Sequence, residues 1–201
     1  MYDEYIKEEF KCKTSDELLG KKYVIGKQFG VGDYSRMKIE DGLEISKFNM
    51  YSANMYFDNR GYEDDVLEIG YCYSGTTKIL AFPSNKSICL KKGKFFYKTL
   101  NNVEYFEFKY DKCKTISICM HFSTIKNAVN PIWEDRAIMD WETQMNNIFK
   151  EDILIIEKAS YDIKKIAEEI DDIPIDNMMG YMKLKLRTIE FLANFFEKIL
   201  T

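Results

Sequence analysis

The sequence predicts an α+β fold in which an antiparallel β-barrel or sandwich is followed by a helical segment that ends in one long helix. Between residues 23 and 130, apolar residues recur at every second position and turn-forming residues are frequent, as in antiparallel strands. After residue 130 the apolar spacing changes to three and four, as in helices. We therefore divide the 201 residues into an N-terminal arm (1–22), a β-region (23–130) and a helical region (131–201).

Three segments carry the clearest strand signal, because their apolar side chains alternate with other residues and would share one face of a sheet. These rows are Leu67, Ile69, Tyr71 and Tyr73; Phe106, Phe108 and Tyr110; and Ile116, Ile118, Met120 and Phe122. About eight such segments separated by short turns predict a small barrel or sandwich.

Helix signals follow in the last third of the chain and, more weakly, in the arm. Residues 133–150 and 160–170 are candidate helices, and the second has Ser160 as N-cap and an amphipathic spacing. A third helix is expected from about Asp176 to the C-terminal end. In the arm, Thr14-Ser15-Asp16-Glu17 resembles a capping box and predicts a short helix, with a loosely ordered terminus as the alternative.

The last predicted helix has two apolar stripes, which is more than contact with a single core requires. The first stripe follows the spacing of a coiled-coil seam, and we expect it to form a homodimer interface through Met178, Met182, Lys185, Ile189, Leu192 and Phe196. The second stripe is expected to pack on the same subunit through Tyr181, Leu184, Phe191 and Phe195. The alternative is a helix that is buried within the monomer on both sides.

Composition excludes several classes of function. One histidine and five cysteines without a Cys-x-x-Cys spacing do not provide a clustered metal site, so we expect no metal, cofactor, catalytic residue or enzymatic activity. A net charge of −4 is a poor match to nucleic-acid binding by this chain itself. The sequence has neither an apolar run of about 20 residues nor a signal peptide, so we expect a cytoplasmic protein without a membrane partner.

Six residues of the β-region are candidates for a small-molecule pocket. A first group would form an aromatic-rich wall that suits a flat organic effector, with core packing as the alternative. This group is Leu67, Ile69, Tyr71 and Tyr73. Cys119 and His121 lie on a strand face opposite an apolar row, where a thiol and an imidazole could orient a ligand. For this pair, the alternative is a solvent-exposed strand face.

Three segments together resemble the N-terminal regulatory domain of the AraC family of bacterial transcription regulators, and within it the pyochelin-regulator subgroup. They are residues 41–46 (DGLEIS), 66–75 (VLEIGYCYSG) and 183–193 (KLKLRTIEFLA). The resemblance implies a cupin-like barrel that senses a small molecule, a dimerising helix, and a C-terminal domain with two helix-turn-helix motifs. Lys185 stands where the family usually has an acidic residue, and Arg187 stands where it has a lysine.

The resemblance gives an expected function. We expect an effector-sensing and dimerisation domain of a transcription regulator, which would reach DNA only through a further domain that is absent from these 201 residues. Its effector would be a small organic molecule whose identity the sequence does not give. The alternative is a stand-alone cupin-like protein or enzyme that binds a small molecule.

Overall fold

The computed structural model describes residues 2–58, 66–99, 103–121, 124, 143–144, 146–148, 150 and 154–200. Within them, strands β1 to β9 are Lys13–Glu17, Gly20–Val24, Gly30–Glu40, Leu43–Asp58, Val66–Phe82, Lys86–Lys91, Lys94–Thr99, Tyr105–His121 and Leu154–Lys158. Helices α1 to α3 are Tyr2–Glu9, Tyr161–Asp172 and Met178–Leu200. Most of the helix predicted at 133–150, and the domain boundary predicted at residue 130, lie outside the described residues.

The described strands form one antiparallel sheet in the order β1-β2-β3-β4-β8-β5-β7-β9, with β6 paired to the second half of β5. β8 lies at the centre and pairs along its length with β4 on one side and β5 on the other. β1 and β9 stand at the two ends of this order, so the sheet is open. Of the predicted barrel or sandwich, the structure therefore excludes a closed barrel.

Although it is open, the sheet curves back over itself. The Lys98 Nζ atom of β7 lies 2.6 Å from a carboxylate oxygen of Glu68 and 4.9 Å from the ring centroid of Phe106. Glu68 pairs with Cys119 of β8, and Cys119 and Phe106 would be roughly 40 Å apart along a straight strand. One lysine therefore reaches both only because the long strands bend around it.

Two hydrophobic cores lie on the two faces of this sheet. The helix-side core packs strand residues such as Ile118 and Met120 against α2 and α3. The inner core fills the inside of the curve and includes Phe10, which follows α1, and Met50. Helices α2 and α3 therefore cover one face of the sheet, and α1 contributes to the other.

The two C-terminal helices form as the sequence predicts. Ser160 caps α2, because its Oγ atom accepts a hydrogen bond from the Ile163 backbone N–H at 3.2 Å. The buried side of α2 faces the helix-side core. At its other end, the Lys47 Nζ atom of β4 donates to the carbonyl oxygens of Ile170 and Asp171 at 3.3 and 3.2 Å, which ties the C-terminus of α2 to the sheet.

Two strands lie where the sequence predicts none. β1 covers the residues of the supposed capping box, so the helix predicted there was wrong, and the helix of the arm is α1 instead. Every residue of β1 is exposed, and the strand forms through backbone pairing with β2, so its sequence carries no apolar alternation. β9 lies in the region predicted to be helical and extends the sheet beside β7.

None of the described helices is both long enough and apolar enough to cross a membrane.

Candidate functional site

A row of polar side chains crosses five neighbouring strands on the inner face of the sheet. We call it the polar row, and it consists of Lys98, Glu68, Cys119, Glu44 and Arg36, from β7, β5, β8, β4 and β3. Glu68 pairs in register with both Lys98 and Cys119, and Cys119 pairs with Glu44. Paired residues of adjacent strands project from the same face, so these side chains are neighbours.

The charges of the polar row are arranged as two ion pairs. Lys98 lies 2.6 Å from Glu68, and the two side chains are 9% and 16% exposed. Arg36 bonds Glu44 at 2.6 Å, with exposures of 21% and 18%. Partly buried pairs of this kind are worth more than surface pairs, because water screens them less. The row therefore presents balanced charge to the interior.

Cys119 separates the two carboxylates at the centre of the row. Burial raises the pKa of its thiol well above the ordinary value, and the charges of Glu68 and Glu44 act in the same direction. The thiol is therefore protonated at neutral pH and is not a nucleophile. It offers a bound molecule only a weak hydrogen-bond donor.

The next row along the strands contains a buried hydroxyl group. Ser117 pairs with Gly70 on one side and Ser46 on the other, and Ser117 is 1% exposed. Its Oγ atom has no hydrogen-bond partner in the described part of the chain. A buried hydroxyl group without a partner costs about 1–3 kcal/mol, so this atom is a natural contact for a polar group of a ligand.

Aromatic rings form the remainder of this face. They stack in the order Tyr23, Tyr34, Phe48 and Tyr110, with centroid separations of 4.6, 5.3 and 6.4 Å. Phe96 lies over Gly70 so closely that a side chain at that glycine would collide with its ring. The inner face thus combines a polar row with an aromatic surface, the composition typical of small-molecule sites.

The structure places the predicted aromatic wall elsewhere. Leu67, Ile69 and Tyr71 are at most 3% exposed and belong to the helix-side core. The Tyr73 hydroxyl group donates to the Ala167 carbonyl of α2 at 2.6 Å. Helices α2 and α3 cover the face of the sheet that these four residues occupy. Core packing, the alternative for this wall, describes them.

Cys119 and His121 lie on the inner face instead, as the strand alternation predicts. Cys119 is part of the polar row. His121 is half-buried at the end of β8, and its backbone N–H donates to the Gly42 carbonyl at 2.9 Å. The six candidates therefore occupy two opposite faces of the sheet and do not form one site. Their role in binding a ligand stays a prediction.

The predicted dimer stripe of α3 is also divided between two environments. Leu192 is 4% exposed and belongs to the helix-side core, while Lys185 donates to Glu40 of its own chain at 2.5 Å. Phe196 is partly buried against the same core. The helix turns these three positions toward its own sheet, and their part in a dimer interface stays a prediction. Met178 and Met182 remain exposed, at 73% and 47%, and Ile189 is half-exposed.

A cleft of about 380 Å³ lies on the helix side of the sheet, away from the polar row. It is lined by Glu17, Leu18, Leu19, Ser35, Met37, Lys47, Ile173 and Ile175. None of the six predicted pocket residues lines it. Within the described residues, no group of three or more His, Cys, Asp and Glu side chains is placed to hold a metal ion.

Sequence reasoning missed four of the five residues of the polar row. The available signal was a glutamate between two apolar residues, in Leu43-Glu44-Ile45 and again in Leu67-Glu68-Ile69. Alternation turns such a glutamate to the opposite face from its neighbours. The sequence does not show whether that face is solvent or an interior, and only the curvature of the sheet decides it.

No family model matches the chain, and no curated protein matches it. Among solved structures, apo ToxT K231A from Vibrio cholerae has a TM-score of 0.50 at 11% identity, covering 80% of this chain and 58% of that one. ToxT bound to (E)-4-(8-methylnaphthalen-1-yl)but-3-enoic acid has a TM-score of 0.45 at 15% identity, with coverages of 79% and 56%. The first of these comparisons shows that the chain shares its fold with part of ToxT.

Two further structures give lower scores. The AraC-like transcriptional activator CuxR has a TM-score of 0.48 at 11% identity, covering 81% of this chain and 56% of that one. An RmlC-like cupin from Desulfovibrio desulfuricans has a TM-score of 0.36 at 9% identity, with coverages of 44% and 81%. The chain spans less than two thirds of the length of ToxT and CuxR.

Proposed function

We propose that this chain is the effector-sensing and dimerisation domain of a cytoplasmic transcription regulator of the AraC type. The observation that carries the proposal is the inner face of the sheet, where the polar row and the Ser117 hydroxyl group lie among aromatic rings. The fold shared with ToxT supports it. The pyochelin-regulator subgroup suggested by the sequence stays a prediction.

The polar row limits the charge of the effector. Lys98 and Arg36 are each bonded to a carboxylate, so a fully charged ligand would have to separate a buried ion pair. A neutral, flat organic molecule needs no such separation. Its ring would contact the aromatic stack around Tyr34, and a carbonyl or hydroxyl group would bond Ser117.

A thermal-shift measurement tests this proposal. The first probes are the naphthalene-containing acid that ToxT binds and the amide of the same acid. A ligand present at 100 times its Kd stabilises the folded state by about 2.7 kcal/mol, which should raise Tm by roughly 5 °C or more. We expect the amide to bind at least as tightly as the acid, because it leaves both ion pairs intact.

Two variants locate the binding. Ser117→Ala removes the hydroxyl group that the ligand would bond, and it should weaken binding about tenfold. Tyr51→Ala changes an exposed ring on β4, and it should leave binding unchanged. If no flat organic compound raises Tm, or if Ser117→Ala binds as well as the wild type, the inner face is not the effector site.

Dimerisation is assigned to the exposed side of α3. Its apolar residues follow the alternating three-and-four spacing of a coiled-coil seam, in a register that differs from the one predicted from sequence. We call them the α3 seam, and they are Met179, Met182, Leu186, Ile189 and Ala193. Met179, Met182 and Leu186 are 56%, 47% and 65% exposed. A second copy of the chain would cover this patch by twofold pairing.

In this proposal the chain itself has neither a catalytic nor a DNA-contacting role. The thiol of the half-buried Cys119 is protonated, and its neighbours are held in ion pairs, so the polar row is suited to binding rather than to acid–base chemistry. DNA would be contacted by a further domain of the regulator.

A further inference from the structure

Cys72 of β5 and Cys113 of β8 lie beside each other in the inner core. Both are buried, at 0% and 1% exposure, both belong to the inner core, and their thiol groups interact. Neither residue takes part in the polar row or in the proposed function. Two thiols in contact on adjacent strands are the starting arrangement for a disulfide bond.

Irregular pairing brings these two residues together. Cys72 pairs with Thr115, and the register between β5 and β8 then shifts on either side of Ser74. Gly75 and Lys112 both have positive φ angles, +67° and +46°, at these shifts. A side chain at Gly75 would collide with the carbonyl oxygen of Lys112, so the two strands approach closely here.

The hydrogen bonds around the two sulfur atoms give them different roles. The Thr77 hydroxyl group donates to Cys113 Sγ at 2.9 Å, whereas the Cys72 thiol donates to the Ser74 carbonyl oxygen at 3.3 Å. The interaction with Cys72 and the hydrogen bond from Thr77 lower the pKa of Cys113, while the interaction with Cys113 and then burial raise the pKa of Cys72. Cys113 is therefore the better nucleophile of the two.

We propose that Cys72 and Cys113 form an intramolecular disulfide when the protein is exposed to a peroxide. The Cys113 sulfur attacks one peroxide oxygen, so an S–O bond forms, the O–O bond breaks, and the leaving hydroxide takes up the thiol proton as water. The Cys72 sulfur then attacks the sulfenic sulfur, and the S–O bond breaks to release a second water. Overall, the two thiols lose two electrons and two protons to hydrogen peroxide, and two water molecules form.

The test is mass spectrometry of the intact protein after treatment with hydrogen peroxide. We expect the wild type to lose 2 Da relative to the reduced protein and to recover this mass with a reducing agent. Cys72→Ala and Cys113→Ala should each prevent the loss. Cys89→Ala, which removes an exposed thiol, is the matched control and should retain it.

Peptide mapping identifies the partners without relying on the folding of the two disruptive variants. Trypsin releases Cys12 and Cys113 in identical Cys-Lys dipeptides, so the mapping uses the Cys12→Ala protein. The expected product is the peptide 61–78, which contains Cys72, linked to the dipeptide 113–114. The Thr77→Val variant should form this product several-fold more slowly, because it lacks the hydroxyl group that donates to Cys113.

The proposal is contradicted if peroxide leaves the mass of the wild type unchanged. It is equally contradicted if peroxide adds oxygen without forming a bond, or links a different pair of cysteines. These outcomes do not depend on the effector, so failure here and failure of the proposed function are separate results.

Discussion

Ser117 places a hydroxyl group inside the inner core, and this group has no hydrogen-bond partner in the described residues. The polar row lies two residues further along β8, at Cys119. Such a hydroxyl group reduces the stability of the unliganded protein, and a ligand that bonds it recovers that free energy. The residue therefore connects stability to binding at a single atom.

Replacing Ser117 by alanine should stabilise the unliganded protein by about 1 kcal/mol, because it removes a polar group that is buried without a partner. Urea unfolding measures the change in the free energy of unfolding. Tyr73→Phe is the control, since it removes a buried hydroxyl group that does have a partner, and it should destabilise by about 1 kcal/mol. A loss of stability in Ser117→Ala would show that this hydroxyl group is bonded in solution.

Lys98→Met should destabilise the protein by about 3 kcal/mol, because it leaves the Glu68 carboxylate in the interior without its cation. Adding Glu68→Leu should restore most of this stability, since the double variant has no buried charge at the pair. Urea unfolding of both variants at pH 7 provides the comparison. If the single variant is as stable as the wild type, water reaches Glu68 and the row is not enclosed.

How far the site could be predicted from sequence depends on the face each residue occupies. Alternation along β8 correctly separates Cys119 and His121 from the apolar row of Ile116, Ile118 and Met120. It cannot tell which face the helices cover, because that depends on how distant segments pack. Tyr71 and Tyr73 were therefore assigned to a pocket and lie under α2 instead.

At the scale of secondary-structure elements, α3 is joined to the sheet through one acidic side chain of β3. Glu40 accepts hydrogen bonds from the Lys185 Nζ atom at 2.5 Å and from the Tyr181 hydroxyl group at 2.6 Å. The hydrogen bond from Lys185 is the largest cause that lowers the pKa of this carboxyl group below its ordinary value of 4.5, and the bond from Tyr181 is the next. Both donors lie on α3, so this carboxylate helps to dock the helix.

This contact should give the protein a defined pH dependence. Because the pKa of Glu40 is lower in the folded state, its contribution to stability is complete above about pH 4.5 and is lost as the pH falls through the folded-state value. Glu40→Gln should lower the free energy of unfolding by about 0.5–1 kcal/mol at pH 7, a small effect because the pair is one-third exposed. The difference from the wild type should shrink at pH 3.

Urea unfolding at the two pH values checks this expectation, and Glu107→Gln, on an exposed position of β8, is the matched control. A variant that differs from the wild type by the same amount at pH 7 and pH 3 would show that the Glu40 charge does not dock α3.

The sequence predicts the position of a helix or strand well where one face of that element is buried. The sequence correctly predicts the N-cap residue of α2, and it predicts the start of α3 to within two residues of the observed start. Each helix has a continuous apolar stripe that packs on the sheet. The prediction fails for β1, an exposed edge whose polar residues are also typical of a helix start. The bulge at Lys112 could not be predicted from the sequence, because the residue that adopts the positive φ angle there is a lysine and not a glycine.

At the scale of the whole molecule, the α3 seam should determine the oligomeric state. Met182→Glu combined with Leu186→Glu should give a folded monomer, because both side chains are exposed in the single chain and would be desolvated only in a dimer. Sedimentation velocity at micromolar concentration measures the mass, and circular dichroism confirms folding. Tyr51→Glu is the control for an added charge at an exposed aromatic position.

Two results would contradict the α3 seam as an interface. One is a wild-type protein that sediments as a monomer at this concentration. The other is a double variant that remains dimeric. Substitutions in the stripe predicted from sequence, such as Ile189→Glu with Leu192→Glu, are unsuitable for this test, because Leu192 belongs to the helix-side core and its replacement should unfold the chain.

The inner face as effector site is tested most directly by methionine methyl NMR. The methionines mark different parts of the molecule: Met50 and Met55 lie in the inner core, Met37 lines the cleft, and Met182 lies on the α3 seam. When a compound that raises Tm is added, we expect the signals of Met50 and Met55 to shift while that of Met37 stays in place. A shift of Met37 without a shift of Met50 or Met55 would place the ligand in the cleft and contradict the account.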